Sequence, residues 1–130
     1  MKDFAKEIVC VEESTSSTND AKYNVSKNKV ENVTIINDDA EKVFEGFVKE
    51  KRAFDVVLLD PPRKGCSKNS LDYATKLSKD VIIYTSCNPS SLANDLKYLK
   101  EKGFKPQFIQ PVDMFCHTPH IENVVLIEKE

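Results

Sequence analysis

Two short, uninterrupted apolar runs limit most sharply what this chain can fold into. Residues 55–59 carry Val56, Val57, Leu58 and Leu59 without a polar break and lead directly into Asp60. Residues 81–85 repeat the pattern with Val81, Ile82, Ile83 and Tyr84. A strand with one wet face alternates polar and apolar side chains. An unbroken run therefore predicts a strand covered on both faces, as in a parallel sheet.

The segments around these runs carry helical periodicity. Over residues 39–51, Ala40, Val43, Phe44, Phe47 and Val48 fall on one continuous apolar stripe. Residues 70–78 present Leu71, Ala74 and Leu77. Residues 90–102 present Leu92, Leu96 and Leu99, with Pro89 at the first helical position and Gly103 as the stop. A weaker helix is read over 16–26, inside the polar stretch 12–32. Short strands are read at 8–11 and 33–36, and two closing β segments at 107–115 and 123–128. Strand and helix alternate, then a terminal strand pair follows. The fold class is α/β: an open, mostly parallel sheet with a closing antiparallel hairpin. In such sheets ligands bind beyond the carboxyl ends of the strands. Glu12, Asp60 and Cys87 all fall there.

Composition narrows the class. The 130 residues suffice for one domain, residues 1–130. With 40% hydrophobic and 31% charged residues, 3 Gly and 6 Pro, disordered and collagen-like classes are excluded. A net charge of −2 supplies no global basic field for nucleic acid, so such binding needs a local patch or a further part. The apolar runs are far shorter than the roughly 20 residues that cross a bilayer. Residues 1–4 show no secretory signal, and a soluble cytoplasmic chain is expected. Cysteines at 10, 66, 87 and 116 fit neither a zinc knuckle nor a disulfide scaffold, so each is judged singly.

Cys87 lies between a buried strand and a helix start, where backbone N–H groups and the helix dipole favour a thiolate nucleophile. The plain alternative is a small buried side chain. Asp60, stiffened by Pro61 and Pro62, can accept a hydrogen bond from a nucleobase or an amine, or can simply cap the local turn or pair with Arg63. Glu12 ends the first strand, where an acid commonly holds ribose hydroxyls, or stands as a solvated loop acid. Either Asp38 or Asp39 caps the following helix. His117, His120 and Glu122 lie in a reactive loop whose spacing fits no helical metal-ligand pattern. Glu122 beside an apolar strand is a candidate proton acceptor or an exposed strand-start residue.

Three motifs join these clues: Asp60-Pro61-Pro62-Arg63-Lys64-Gly65; Ile82-Ile83-Tyr84-Thr85-Ser86-Cys87-Asn88-Pro89; and Asp113-Met114-Phe115 followed by His117-Thr118-Pro119-His120-Ile121-Glu122. In this order and spacing they resemble the RNA 5-methyluridine methyltransferase family, over essentially the whole chain. The resemblance implies a Rossmann-like class I methyltransferase sheet and S-adenosylmethionine as cofactor, with no metal in this segment. RNA is the implied partner, ribosomal RNA ahead of transfer RNA. It further implies Cys87 as the nucleophile at uracil C6 and Glu122 as the base at C5. Glu12, Asp39 and Asp60 are the implied cofactor-side acids. Cys116 stands where the family usually has Pro, and Ser91 where it usually has Thr.

The family's domain begins with a strand and Gly-rich cofactor loop that these residues do not contain. It also carries RNA-binding and, in some members, iron–sulfur parts ahead of that domain. The chain is therefore read as the carboxy-terminal portion of a larger enzyme, with weak cofactor binding and turnover when alone. The missing strand would lie between the strand ending at Glu12 and that ending at Asp60. Either those two strands close the gap, or a second copy covers the exposed edge. Three other readings stay open: a non-catalytic remnant that binds a partner, a base-amine methyltransferase using Asp-Pro-Pro without Cys87, and a metal hydrolase built on His117 and His120.

Overall fold

The computed structural model describes residues 3–114, 116–118 and 120–130. Phe115 and Pro119, which belong to the third motif, lie outside the described residues. The strand expected over 107–115 runs instead from Phe104 to Val112, with Asp113 and Met114 beyond its end. Six strands and four helices alternate as the sequence predicts. They group into two compact units, residues 1–43 and 44–130.

In the first unit, strand β1 (Ile8–Glu12) pairs in parallel with β2 (Val33–Asn37), with Glu12 opposite Asn37. Helix α1 (Thr15–Lys27) connects them. Ser14 caps its start by accepting from the Ser17 amide at 3.3 Å. The helix buries only Thr18, whose hydroxyl donates to the Ser14 carbonyl at 2.8 Å. Its weak apolar pattern is matched by little burial. Helix α2 (Ala40–Lys49) follows β2, and Asp39 is its cap: the Lys42 amide donates to Asp39 Oδ1 at 3.0 Å. That separates the two acids, because Asp38 only receives the Asp39 amide at 2.7 Å.

The second unit is built on a four-stranded sheet. Strands β3 (Phe54–Leu59), β4 (Ser78–Ser86), β5 (Phe104–Val112) and β6 (Glu122–Lys129) lie in the order β3-β4-β6-β5. β3 runs parallel to β4, while β6 runs antiparallel to both β4 and β5. Helices α3 (Lys68–Leu77) and α4 (Pro89–Glu101) bury Leu71, Ala74, Leu77, Leu92 and Leu99. The matching strand face buries Val57, Ile82, Tyr84, Val125 and Ile127. Tyr98 and Lys102 of the α4 end both reach Asp72 of α3, at 3.0 and 2.8 Å, which ties the two helices together at the surface. β5 closes one side of the sheet and carries Pro106 and Pro111, which lack the N–H an added strand would use.

One expectation changes. The run at 55–59 predicts burial on both faces, yet Val56 and Leu58 are 45% and 49% exposed. Only the face under α3 and α4 is covered. Register carries this open face across the sheet through Leu58, Ile83, Leu126 and Phe108, which are successive cross-strand partners.

The two faces should respond differently to truncation. Ile127→Ala, on the covered face, is expected to cost about 2–5 kcal/mol, as buried large-to-small changes do. Leu58→Thr, on the open face, is expected to stay within about 1 kcal/mol. Urea unfolding of the chain checks both. Equal losses would show that the open face is packed.

Candidate active site

Strand alternation delivers the chemistry-bearing residues to one end of the second unit's sheet. β4 places Tyr84 and Ser86 under the helices, and Cys87 follows at the strand's carboxyl end. The last β4–β6 partners are Ser86 and Asn123, so Cys87 and Glu122 each stand one residue beyond that pair on neighbouring strands. Asp60 follows the end of β3 and is exposed. Among the described residues it forms no ion pair with Arg63.

Cys87 opens onto a cleft of about 410 Å³ lined also by Arg63, Asn88, Pro89, Ser90 and His120. Asp60 and Glu122 do not line it among the described residues. The helix start behind Cys87 is already occupied. Asn88 is the cap of α4 and accepts from the Ser90 amide at 3.0 Å, while its own amide donates to Ser86 Oγ at 3.1 Å. Cys87 thus precedes the cap, and these amides serve Asn88 and Ser86. Arg63 is the cationic residue among those that line the cleft.

The segment after β3 is fastened to α4. Asn88 Nδ2 and Ser91 Oγ both donate to the Arg63 carbonyl, at 2.9 and 3.0 Å. Ser91 therefore keeps a hydroxyl where the family usually has Thr. Farther along α4, Asp95 is 9% exposed, and its Oδ2 accepts from the Cys66 amide at 2.9 Å and from the Tyr84 hydroxyl. Gly65 lies against this carboxylate with φ +81°, and a Cβ there would stand 2.6 Å from Asp95 Oδ2. Burial is the main cause that pushes the Tyr84 phenol far above its ordinary value, and the hydrogen bond to Asp95 adds to it, so Tyr84 remains a donor. Burial likewise pushes the Cys66 thiol up to about 11.

In the first unit, Glu12 and Asp39 lie at the carboxyl ends of β1 and β2. Glu12 Oε1 accepts from the Ser14 amide at 2.7 Å. Its carbonyl is held by Asn37 Nδ2 at 3.0 Å, which fixes the tip of β1 to that of β2. Asp39 spends one oxygen on capping α2. Among the described residues, no three His, Cys, Asp or Glu side chains gather as metal ligands would.

Sequence patterns singled out Cys87 but gave Arg63 only as an ion-pair partner and His120 only as a possible metal ligand. Asp95 was legible in principle. It falls three residues after Leu92 and four before Leu99, on the buried stripe of its helix, where a charge requires partners.

Parallel strands joined by helices and a closing antiparallel hairpin define the α/β fold of Rossmann-like methyltransferases. Precorrin-6y C5,15-methyltransferase from Geobacter metallireducens shares that fold, with a TM-score of 0.70 at 15% identity over 95% of this chain and 67% of its own. Within that class, the chain belongs to the family described as tRNA (Uracil-5-)-methyltransferase, whose profile matches residues 1–130. Pyrococcus abyssi tRNA (uracil-54, C5)-methyltransferase, solved in complex with S-adenosyl-L-homocysteine, aligns with a TM-score of 0.80 at 29% identity. The match covers 93% of this chain and 28% of that one. An uncharacterized RNA methyltransferase of Clostridium tetani is 40% identical over 95% of this chain and 27% of its own length. The chain thus spans about a quarter of the length of the relatives it matches.

The cysteines should separate by reactivity. Cys10 and Cys116 are exposed and should alkylate first, with Cys66 last at neutral pH. Because folding raises the Cys66 value from 9.0 to about 11, its contribution to stability is complete below about pH 9 and is lost as pH climbs through 11. Mass mapping of iodoacetamide adducts against pH checks this ordering. Early labelling of Cys66 would contradict it.

Proposed function

We propose that this chain carries the nucleophile and the base of an S-adenosylmethionine-dependent RNA (uracil-C5) methyltransferase. The supporting observation is the Cys87 cleft, with Arg63 and His120 at its walls and Glu122 opening the neighbouring strand β6 at the same end of the sheet. Family membership supplies the reaction class.

In this mechanism Cys87 Sγ adds as a thiolate to C6 of uracil, and the electrons of the C5–C6 double bond move toward C5 and O4. Arg63 supplies positive charge beside the attacking sulfur. After methylation, Glu122 removes the C5 proton. The electron pair restores the double bond and expels the Cys87 thiolate.

The cofactor side fits the acids present. Glu12 and Asp39 offer carboxylate oxygens at adjacent strand ends in the first unit, complementary to the donor hydroxyls and amine of a nucleoside. Asp60 occupies the corresponding place after β3 in the second unit. S-adenosylmethionine, when bound, would supply an electrophilic methyl group to the activated C5, its S–CH3 bond breaking to leave S-adenosylhomocysteine. Since the chain spans about a quarter of its relatives, these 130 residues alone are proposed to turn over poorly. A cytoplasmic location follows from the RNA substrate. The resemblance favours ribosomal RNA, whereas the matched family and the archaeal neighbour are described by tRNA, so both RNAs belong in the test.

The protein's full-length form, incubated with S-adenosylmethionine and 5-fluorouridine-containing rRNA or tRNA, should accumulate a covalent adduct on Cys87. Fluorine at C5 cannot leave as a proton does. Cys87→Ala should form none. Glu122→Gln should accumulate the methylated adduct even on ordinary uridine, with turnover lowered by about 100-fold or more. Intact mass and peptide mapping read all three. A folded, cofactor-bound enzyme without adduct would sink the uracil-C5 mechanism and favour amine methylation.

A further inference from the structure

We propose that Asp95 is a positioning residue whose buried carboxylate locks the segment after β3, with Asp60 and Arg63, against the turn that carries Cys87. The inference rests on the methyltransferase reading and extends it to a residue outside the cleft. Three elements meet at Asp95. Its own helix, α4, begins two residues after Cys87. Tyr84, three residues before Cys87, donates its hydroxyl to Asp95 Oδ2 from β4. The Cys66 amide donates to the same oxygen from the end of the 60–66 segment.

The Tyr84 hydroxyl holds from β4 the same Asp95 oxygen that receives the Cys66 amide, so it fixes the carboxylate on which the loop hangs. The Cys66 amide and Gly65 are what carry the hold outward to the loop. Gly65 permits it, since any side chain there would stand 2.6 Å from Asp95 Oδ2 in a backbone conformation that L residues rarely adopt. A Gly65 N–H to Pro62 carbonyl bond of 2.8 Å then makes the segment one rigid turn. Arg63, inside that turn, is fastened a second time through its carbonyl to Asn88 and Ser91. Asp95 holds one end of the turn and the start of α4 holds its middle. Together they fix Arg63 beside Cys87.

The test uses the full-length form, with Asp95→Asn, Tyr84→Phe and, as a core control on the same helix, Leu99→Val. The adduct rate constant on 5-fluorouridine RNA is measured at saturating RNA and cofactor. Amide exchange of the 60–66 segment is measured without either. Asp95→Asn should slow adduct formation by about tenfold or more and raise exchange at 60–66. Leu99→Val should leave both within about twofold even where its unfolding midpoint falls as far. Should Asp95→Asn fail to fold, Tyr84→Phe carries the test with an expected slowing of about threefold.

An unchanged saturating rate in the Asp95 or Tyr84 variant, or an equal loss in Leu99→Val, would overturn the proposal. The exchange arm needs no catalysis. If the wild-type protein formed no adduct, the methyltransferase reading would fail while exchange at 60–66 still decided the role of Asp95.

Discussion

A carboxylate buried on a helix must find donors, and at Asp95 that requirement ties α4 to β4 and to the loop after β3 in the second unit. The Tyr84 hydroxyl and the Cys66 amide meet one oxygen, and each would cost about 1–3 kcal/mol if left without its partner in the interior. Against a total stability of about 5–15 kcal/mol, such a cluster strongly disfavours alternative arrangements of the loop. The constraint runs in both directions. Asp95 dictates glycine at position 65, and the turn through Gly65 dictates where Arg63 can lie.

The sheet itself is less symmetric than its sequence. β4 and β6 alternate buried and half-buried residues, so unbroken apolar runs do not mean equal cover on both sides. Side chains at 82, 84, 125 and 127 are sealed by α3 and α4, whereas Leu58 and Phe108 stay about half exposed at the two margins of the other face. Contiguous apolar surface of this kind is uncommon on an isolated domain and marks a face suited to contact. The run at 55–59 encodes affinity for two covers, of which the described residues supply one.

Every helix and strand was legible in the sequence, because each rests on local period, a cap or a breaker. Pro89 and Gly103 bracket α4 within a residue of the pattern, and Ser14, Ser67 and Asn88 supply caps where helices begin. The candidate site was legible only where chemistry coincided with a strand end, as at Cys87 and Glu122. Asp95 and Arg63 escaped because their partners lie 29 and 25 residues away in the chain, for Cys66 and Asn88 respectively. Periodicity reports which face a residue occupies. It is silent on which loop returns to meet it.

The position of Cys87 ties these points together. Had the thiol stood within the first turn of α4, the helix amides could have carried its negative charge directly. It precedes the cap instead, and Asn88 and Ser86 take the neighbouring amide hydrogens. In the proposed chemistry the thiolate must then draw on charge brought from outside the helix, and Arg63 is the permanent cation lining the cleft. Arg63 belongs to a loop with no regular structure of its own, so its backbone must be held by others. Asn88 and Ser91 hold the carbonyl of Arg63, and Asp95 holds the end of its turn. In the proposed chemistry, nucleophile activation is thus a matter of loop retention, carried by polar side chains along one face of α4.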